Sequence, residues 1–329
     1  MNVAVIGGSG FIGSNLCRHL AQRAELSFSI VDKAASAAFP QHCRIADVRS
    51  VEALRGAIDI GATVVNLAAE HRDDVQPRRL YDEVNVQGAR NICAVASERD
   101  VRRIIFTSSV AVYGFAAPGT DESGRIAPFH DYGRTKFEAE EVFRAWQAES
   151  AERSLVIVRP TVVFGERNRG NVYNLLRQIA SGWFVMIGSG ENRKSMAYVE
   201  NVCAFLEYCL SVPPGLHLYN FIDKPDFTMN SLVDTVQGLL GRRNGPRLRI
   251  PVPLGLAIGK GFDAAAAISG RKLPISAIRV RKFAASTVYD SRAGSSGFRP
   301  PFGLREALER TVRHEFLESP REGQLFYSE

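Results

Sequence analysis

A chain of 329 residues, 45% hydrophobic and 23% charged, can bury a large core, which excludes a disordered chain and gives the length of one compact unit of two packed subdomains. Its five cysteines (Cys17, Cys43, Cys93, Cys203, Cys209) form an odd set with no CxxC pair, which argues against a disulfide framework or a structural zinc site and reads as reduced core residues. The net charge of +6 is uneven, because positions 241–285 hold ten basic residues against one acid and the rest of the chain is slightly acidic.

Met1-Asn2-Val3-Ala4-Val5-Ile6 runs directly into a glycine turn, so it reads as a first strand rather than an export signal, and a location inside the cell is expected. No apolar run approaches the length of about 18 residues needed to span a bilayer. Short apolar runs at Val3–Ile6, Ser27–Val31, Cys43–Ala46, Thr63–Leu67, Ile104–Ser108 and Leu155–Val158 alternate with helical patterns at Phe11–Gln22, Val51–Ala57, Asp82–Arg99 and Thr135–Glu149. This alternation predicts an α/β fold with a doubly wound parallel sheet. After Arg159-Pro160 it becomes irregular, with helices expected near Asn171–Ala180, Asn201–Leu210, Met229–Leu240 and Leu304–Phe316 and a strand near His217–Phe221 returning to the sheet. The expected division is a nucleotide-binding domain at 1–160, with returning segments at about 195–222, and a smaller substrate subdomain from 161–194 and 223–329.

Gly7-Gly8-Ser9-Gly10-Phe11-Ile12-Gly13 follows the first strand and opens the first helix. Gly7 permits the tight turn, Gly10 lets the backbone approach a pyrophosphate and Gly13 lets helix and strand pack closely, while the helix N-terminus attracts phosphate. Asp32 ends the second strand, where a carboxylate accepts hydrogen bonds from ribose hydroxyls and repels a 2′-phosphate, so NAD is expected over NADP; Lys33 beside it partly offsets that repulsion. Asp47-Val48, after the third strand, is placed to reach the adenine edge. Tyr132 and Lys136 stand four residues apart, on one face of a helix, and a cation near a phenol favours the phenolate that proton abstraction needs.

Together with Leu67-Ala68-Ala69, Asn85-Val86-Gln87-Gly88, Thr107-Ser108-Ser109-Val110-Ala111-Val112-Tyr113-Gly114 and Arg159-Pro160, these motifs resemble the extended short-chain dehydrogenase/reductases, the NAD-dependent epimerase/dehydratase family. The resemblance runs almost end to end and implies a Rossmann fold. It implies Ser109 as the residue that hydrogen-bonds the reacting oxygen, Tyr132 as acid and base, and Lys136 as the group that holds the nicotinamide ribose and lowers the Tyr132 pKa. It also implies cofactor contacts at Leu67, Ala68, Ala69, Asn85, Thr107, Pro160 and Val162. Members that dehydrate hexoses carry an Asp-Glu pair directly after the catalytic hydroxyl residue; Val110 and Ala111 stand there instead, which disfavours elimination and leaves epimerase or reductase chemistry.

Three further strings, Ala68–Val75, Phe164–Leu176 and Lys194–Val199, resemble the bacterial 4-epimerases of this family that act on N-acetylglucosaminyl-diphospho-undecaprenol in O-antigen synthesis. Many members start the last string with Arg-Asp-Phe, whose arginine grips UDP phosphates. Lys194-Ser195-Met196 departs from it, and a lysine lacks that bidentate grip, which weighs against a UDP substrate. Arg167, Arg169, Asn171 and Lys194 are then candidate diphosphate or sugar contacts, with Glu70 and His71 bordering the ligand after the fourth strand. The other histidines (His19, His42, His130, His217, His314) lack ligand spacing, so no metal is expected.

The basic residues Arg242, Arg243, Arg247, Arg249, Lys260, Arg271, Lys272, Arg279, Arg281 and Lys282 flank apolar stretches in 246–285, which reads as an amphipathic, interfacial element on an anionic membrane surface. Only Phe262 and Phe283 could serve as aromatics for nucleic acid, and none is expected as partner. The expected location is cytoplasmic, peripheral on the inner face of the cell membrane. Helices Asp82–Arg99 and Thr135–Glu149 resemble the family's four-helix contact, implying a homodimer. The expected reaction is redox 4-epimerisation through a 4-keto sugar; the alternatives are a UDP-hexose or UDP-hexosamine 4-epimerase, an NAD(P)H-dependent 4-keto-sugar reductase, and a non-catalytic NAD-sensing scaffold.

Overall fold

The computed structural model describes residues 1–72, 75–242, 248–269, 276–319 and 323–327, so Asp73, Asp74, Arg243, Arg247, Arg271 and Lys272 lie outside the described residues. Strands such as Val3–Ile6 are apolar at consecutive positions, so both faces of each must be covered, and a parallel sheet flanked by helices does this. In chain order the elements are β1 (Asn2–Ile6), α1 (Phe11–Leu20), β2 (Ser27–Asp32), β3 (Cys43–Ile45), α2 (Val51–Ala57), β4 (Thr63–Asn66), α3 (Arg79–Tyr81), a π-type turn at Asp82–Gln87, α4 (Gly88–Glu98), β5 (Arg103–Thr107), α5 (Asp131–Ala148) and β6 (Ser154–Pro160). There follow β7 (Val162–Phe164), α6 (Asn171–Ser181), β8 (Met186–Ile187), β9 (Arg193–Tyr198), α7 (Val199–Tyr208), β10 (Gly215–Phe221), β11 (Asp223–Thr228), α8 (Met229–Leu239), β12 (Arg249–Ile250), α9 (Val252–Ser269), α10 (Ala277–Ala284) and α11 (Leu304–Val312).

Seven strands form one sheet in the order β10-β6-β5-β4-β1-β2-β3, with every neighbouring pair parallel. The strand expected near residue 217 enters this sheet, pairing with β6 from Gly215 against Ser154 to Phe221 against Pro160. The chain leaves β1 in one direction and β4 in the other, which opens a crevice at the C-terminal ends of the strands, where Gly7, Leu67 and Ser108 emerge. One core lies between the sheet and α2, α4 and α5; a second joins the opposite face through α1 and α7 to α6, α8 and α11. Strands β7, β9 and β11 form a small sheet beyond β6.

Helix α5 begins at Asp131, four residues before the periodicity of its apolar side suggests. His130 is the reason: its Nδ1 accepts the Gly133 N–H at 3.0 Å and caps the helix, so Tyr132 stands in the first turn. The terminal helix leaves α geometry after Val312 and continues as a π-type turn at Arg313–Leu317. Within 246–285, apolar and basic residues fall on different elements: α9 carries only Lys260 and Asp263 as charges, and Arg249, Arg279, Arg281 and Lys282 belong to β12 and α10. No helix among the described residues is long and apolar enough to cross a membrane.

Candidate active site

The first strand ends in Gly7, whose φ of +79° turns the chain while its N–H bonds the Val31 carbonyl at 2.9 Å. A Cβ on Gly7 would stand 2.7 Å from the Ala68 nitrogen, and one on Gly13 would stand 2.5 Å from the Gly7 carbonyl oxygen, so neither position has room for a side chain. Helix α1 opens at Gly10 with no side-chain cap and no acid in its first turn, leaving Phe11, Ile12 and the following N–H groups at an electropositive end. Asp32 lies beside this turn: its carboxylate accepts the Ser9 N–H and the Ala34 N–H, each at 3.0 Å, and each oxygen keeps a lone pair for a ribose hydroxyl. Lys33 is paired with Glu70 at 3.3 Å across the crevice. A glycine cradle, an uncapped helix start and a carboxylate on the next strand fit a dinucleotide without a 2′-phosphate.

The neighbouring positions are less open. Asp47 pairs with Arg49 at 2.6 Å, which holds its carboxyl below the usual range, and Val48 is buried against Gly88. Asn85, buried, ties two strips of the site together: its side chain accepts the Glu70 N–H at 2.8 Å and donates to the Glu70 carbonyl and to the Thr135 hydroxyl, both at 3.0 Å. Glu70 is thereby fixed to α5, while His71 beside it is exposed. Thr107, at the end of β5, has a buried hydroxyl with no hydrogen-bond partner among the described residues. Pro160 ends β6 in the core, and Val162 begins β7 exposed.

Ser109 stands just past β5, where its hydroxyl accepts the Ala111 N–H at 3.1 Å and starts a short 3-10 turn through Tyr113. The first turn of α5 packs onto that turn at Gly133, where a Cβ would meet the Ala111 carbonyl oxygen at 2.5 Å. The close approach brings Tyr132 to Ser109. Burial pushes the Tyr132 phenol up to about 12, and its contact with the Ser109 hydroxyl works the other way. The sequence assigned that lowering to Lys136; in the chain alone it comes from Ser109. Lys136 is 2% exposed and sits 4.5 Å from the centre of the Phe106 ring, and burial draws its ammonium down to about 7. A phenol that resists ionisation and a lysine poised near neutrality can exchange a proton with a bound hydroxyl once further charge enters the site.

Beneath this pair runs a buried polar chain whose members the sequence marked only as motif residues, or not at all. Glu140, one turn after Lys136, accepts two bonds from Arg159 at 2.8 and 2.5 Å and one from Ser108 at 2.5 Å. Arg159 also donates to the Tyr113 hydroxyl at 2.8 Å, which donates to Asn220 at 2.8 Å. The available signal was Glu140 itself, an acid on the inward face of α5, in line with Lys136 and Phe143.

Of the candidate phosphate contacts, Arg167, Arg169 and Asn171 come together at the start of α6. Glu315 holds this loop, accepting the Arg167 N–H at 2.6 Å and pairing with Arg169 at 2.8 Å, and Arg169 stacks 4.0 Å over Tyr173. Residue 326 bonds the loop backbone, and its ring lies 5.7 Å from that of Phe11, which places the cluster beside the glycine turn. Lys194 lies elsewhere, with its ammonium donating to the carbonyls of Lys282 and Ala285 at the end of α10, at 2.7 and 2.6 Å. Burial brings it down to about 8, and one N–H remains for another acceptor. Among the described residues no group of three or more His, Cys, Asp or Glu could hold a metal ion.

Residues 3–220 match the model of the NAD dependent epimerase/dehydratase family, and the chain belongs to that family. A relative from Escherichia coli O157:H7, the N-acetyl-alpha-D-glucosaminyl-diphospho-ditrans,octacis-undecaprenol 4-epimerase, is 47% identical over 331 residues, covering 100% of this chain and 99% of its own. The UDP-glucose 4-epimerase of Vibrio cholerae is 28% identical over 77% of this chain and 79% of its own. The fold is that of the Bacillus cereus UDP-glucuronic acid 4-epimerase solved in complex with NAD, with a TM-score of 0.73 at 17% identity over 95% of this chain and 98% of that one.

Proposed function

We propose that this protein is an isomerase that interconverts N-acetylglucosamine and N-acetylgalactosamine at carbon 4 while the sugar is attached to diphospho-undecaprenol, in the assembly of an O-antigen or other surface polysaccharide. The observation that carries this reading is the 47% identity, over the whole length of both chains, to the epimerase of that lipid-linked sugar. In the division of labour we propose, residues 1–160 with the return at 195–222 hold the cofactor, and 161–194 with 223–329 receive the substrate.

NAD, when bound, supplies an acceptor for the carbon-4 hydrogen and gives it back, so the sugar suffers no net oxidation. Gly7–Gly13 and the start of α1 hold its phosphates, Asp32 its adenosine ribose and Lys136 its nicotinamide ribose. Tyr132 takes the proton of the sugar 4-hydroxyl as carbon 4 becomes a ketone, and Ser109 donates a hydrogen bond to the same oxygen. The ketone then presents its other face, and Tyr132 returns the proton to the new hydroxyl. Val110 and Ala111, where dehydrating members carry acids, leave no carboxylate to expel water.

The lipid end places the enzyme at a bilayer surface. Helix α9 supports this, since Leu254, Ala257, Ile258 and Gly261 form one exposed apolar face, while Gly255 and Gly259 on the opposite side pack against Val280 and Ala277. Exposed Lys260, Arg279 and Arg281 lie on the same helix pair and suit an anionic leaflet. The groove between α5 and the run from the π-type turn into α4, lined by Val86, Arg90, Phe137 and Val142, supports a homodimer through these helices.

The test offers purified protein the undecaprenyl-diphosphate-linked sugar and, separately, UDP-N-acetylglucosamine, and identifies the hexosamine formed. Galactosamine from the lipid-linked sugar, with no steady change in NADH absorbance, is expected. Conversion of the nucleotide sugar alone refutes the substrate, and steady NADH consumption refutes the epimerase in favour of a reductase.

A further inference from the structure

Three aromatic rings lead away from the Tyr132 phenol toward the surface. The His130 ring is centred 6.0 Å from that of Tyr132, Phe129 is 4.4 Å beyond His130, and Phe115 is stacked on Phe129 at 4.5 Å with the planes 22° apart. The outer two are exposed, Phe115 by 59% and Phe129 by 44%. A phenylalanine left in water forgoes the gain of burial, and two stacked side by side make a contiguous apolar patch. The patch is continuous with the basic helix pair: the Lys282 ammonium lies 5.3 Å from the centre of the Phe129 ring, and Ile278, 46% exposed, is one turn earlier on α10. There α10 meets α9, where a Cβ on Gly259 would collide with the Ala277 nitrogen at 2.7 Å.

We propose that the Phe115–Phe129 stack, with Lys282 and Ile278 of α10, is the subsite for the diphosphate and first isoprene units of the lipid carrier, joining the sugar at Tyr132 to the apolar face of α9. The chemistry of the track follows the order of groups in such a substrate. The sugar sits at the phenol; a cation stands over the first exposed ring, where a diphosphate needs a counter-charge; apolar surface continues outward from there. Stacked rings also tolerate sliding, which suits a flexible, repetitive chain with no polar groups to read. The inference rests on the lipid-linked reading of the substrate.

The test compares N-acetylglucosaminyl diphosphates of undecaprenol and of ethanol, which lacks isoprene units, as substrates, in the same detergent, for the wild type, for Phe115→Ser/Phe129→Ser and for Phe115→Leu/Phe129→Leu. The readout is the ratio of kcat/KM for the long chain to that for the short one, which is internal to each protein and so cancels any loss of folded enzyme. In the serine variant the ratio is expected to fall about ten-fold, mostly through KM for the long chain, and in the leucine variant to stay within about two-fold of wild type. An unchanged ratio in the serine variant overturns the subsite while leaving lipid-linked epimerisation standing. An equal fall in the leucine variant also overturns it, because apolar surface would then not be what matters. A wild type that turns over only UDP-N-acetylglucosamine removes the function and the subsite together.

Discussion

At Tyr132 two effects oppose each other, because burial raises the phenol to about 12 while the Ser109 contact works to lower it. On the proposed mechanism, removing the hydroxyl therefore removes the proton carrier without emptying the site. Tyr132→Phe is expected to keep bound NAD and to lose about 10²–10⁴-fold in kcat for hexosamine epimerisation. Lys136 gives a pH signature. Its folded value is near 7 and its ordinary one 10.5, so between these the unfolded chain binds the proton that the folded chain has released, and stability rises with pH. Urea titrations between pH 7 and 9, below the range where unfolded Tyr132 ionises, should show wild type gaining up to about 1.4 kcal/mol per pH unit relative to Lys136→Met. A constant difference between the two proteins across that window would contradict the burial described. Gly13→Ala puts a methyl 2.5 Å from the Gly7 oxygen and is expected to abolish NAD retention, read from the absorbance of the purified protein.

Among the elements, α5 does the most to assemble the site, and its first and third turns act differently. Its start carries Tyr132 onto Ser109 through Gly133, and its middle anchors to β6 through Glu140 and Arg159, which are 0% and 2% exposed. Removing one partner of such a pair leaves a buried charge uncompensated, so Glu140→Leu is expected to cost about 3–5 kcal/mol in chemical denaturation. The strands, the glycine turn and the Tyr-Lys spacing could be read from the sequence because each depends on local order: consecutive apolar residues, a turn that tolerates only glycine, one helical turn. The start of α5 could not, because its cap is His130, outside the residue types that announce a helix. Nor could the position of Lys194 be read, since its partners are carbonyls some 90 residues later in the chain. Positions 246–285 announced charge and apolarity together, yet only the fold separates them into an apolar α9 and a basic α10.

For the whole molecule, the sheet fixes the proposed reacting centre at its C-terminal edge, and the second core carries α6, α8 and α11 out from the opposite face. If α9 faces the bilayer, Leu254→Glu/Ile258→Glu is expected to reduce co-sedimentation with phosphatidylglycerol vesicles several-fold, and raised salt to weaken the wild type. Binding unaffected by both changes would contradict that orientation. The central claim, that the carbon-4 hydrogen leaves the sugar and returns to its opposite face within one enclosed site, is tested most directly with lipid-linked N-acetylglucosamine deuterated at carbon 4. The product N-acetylgalactosamine is predicted to keep its deuterium in ordinary water and in the presence of added unlabelled NADH. A product carrying ordinary hydrogen at carbon 4 would contradict it.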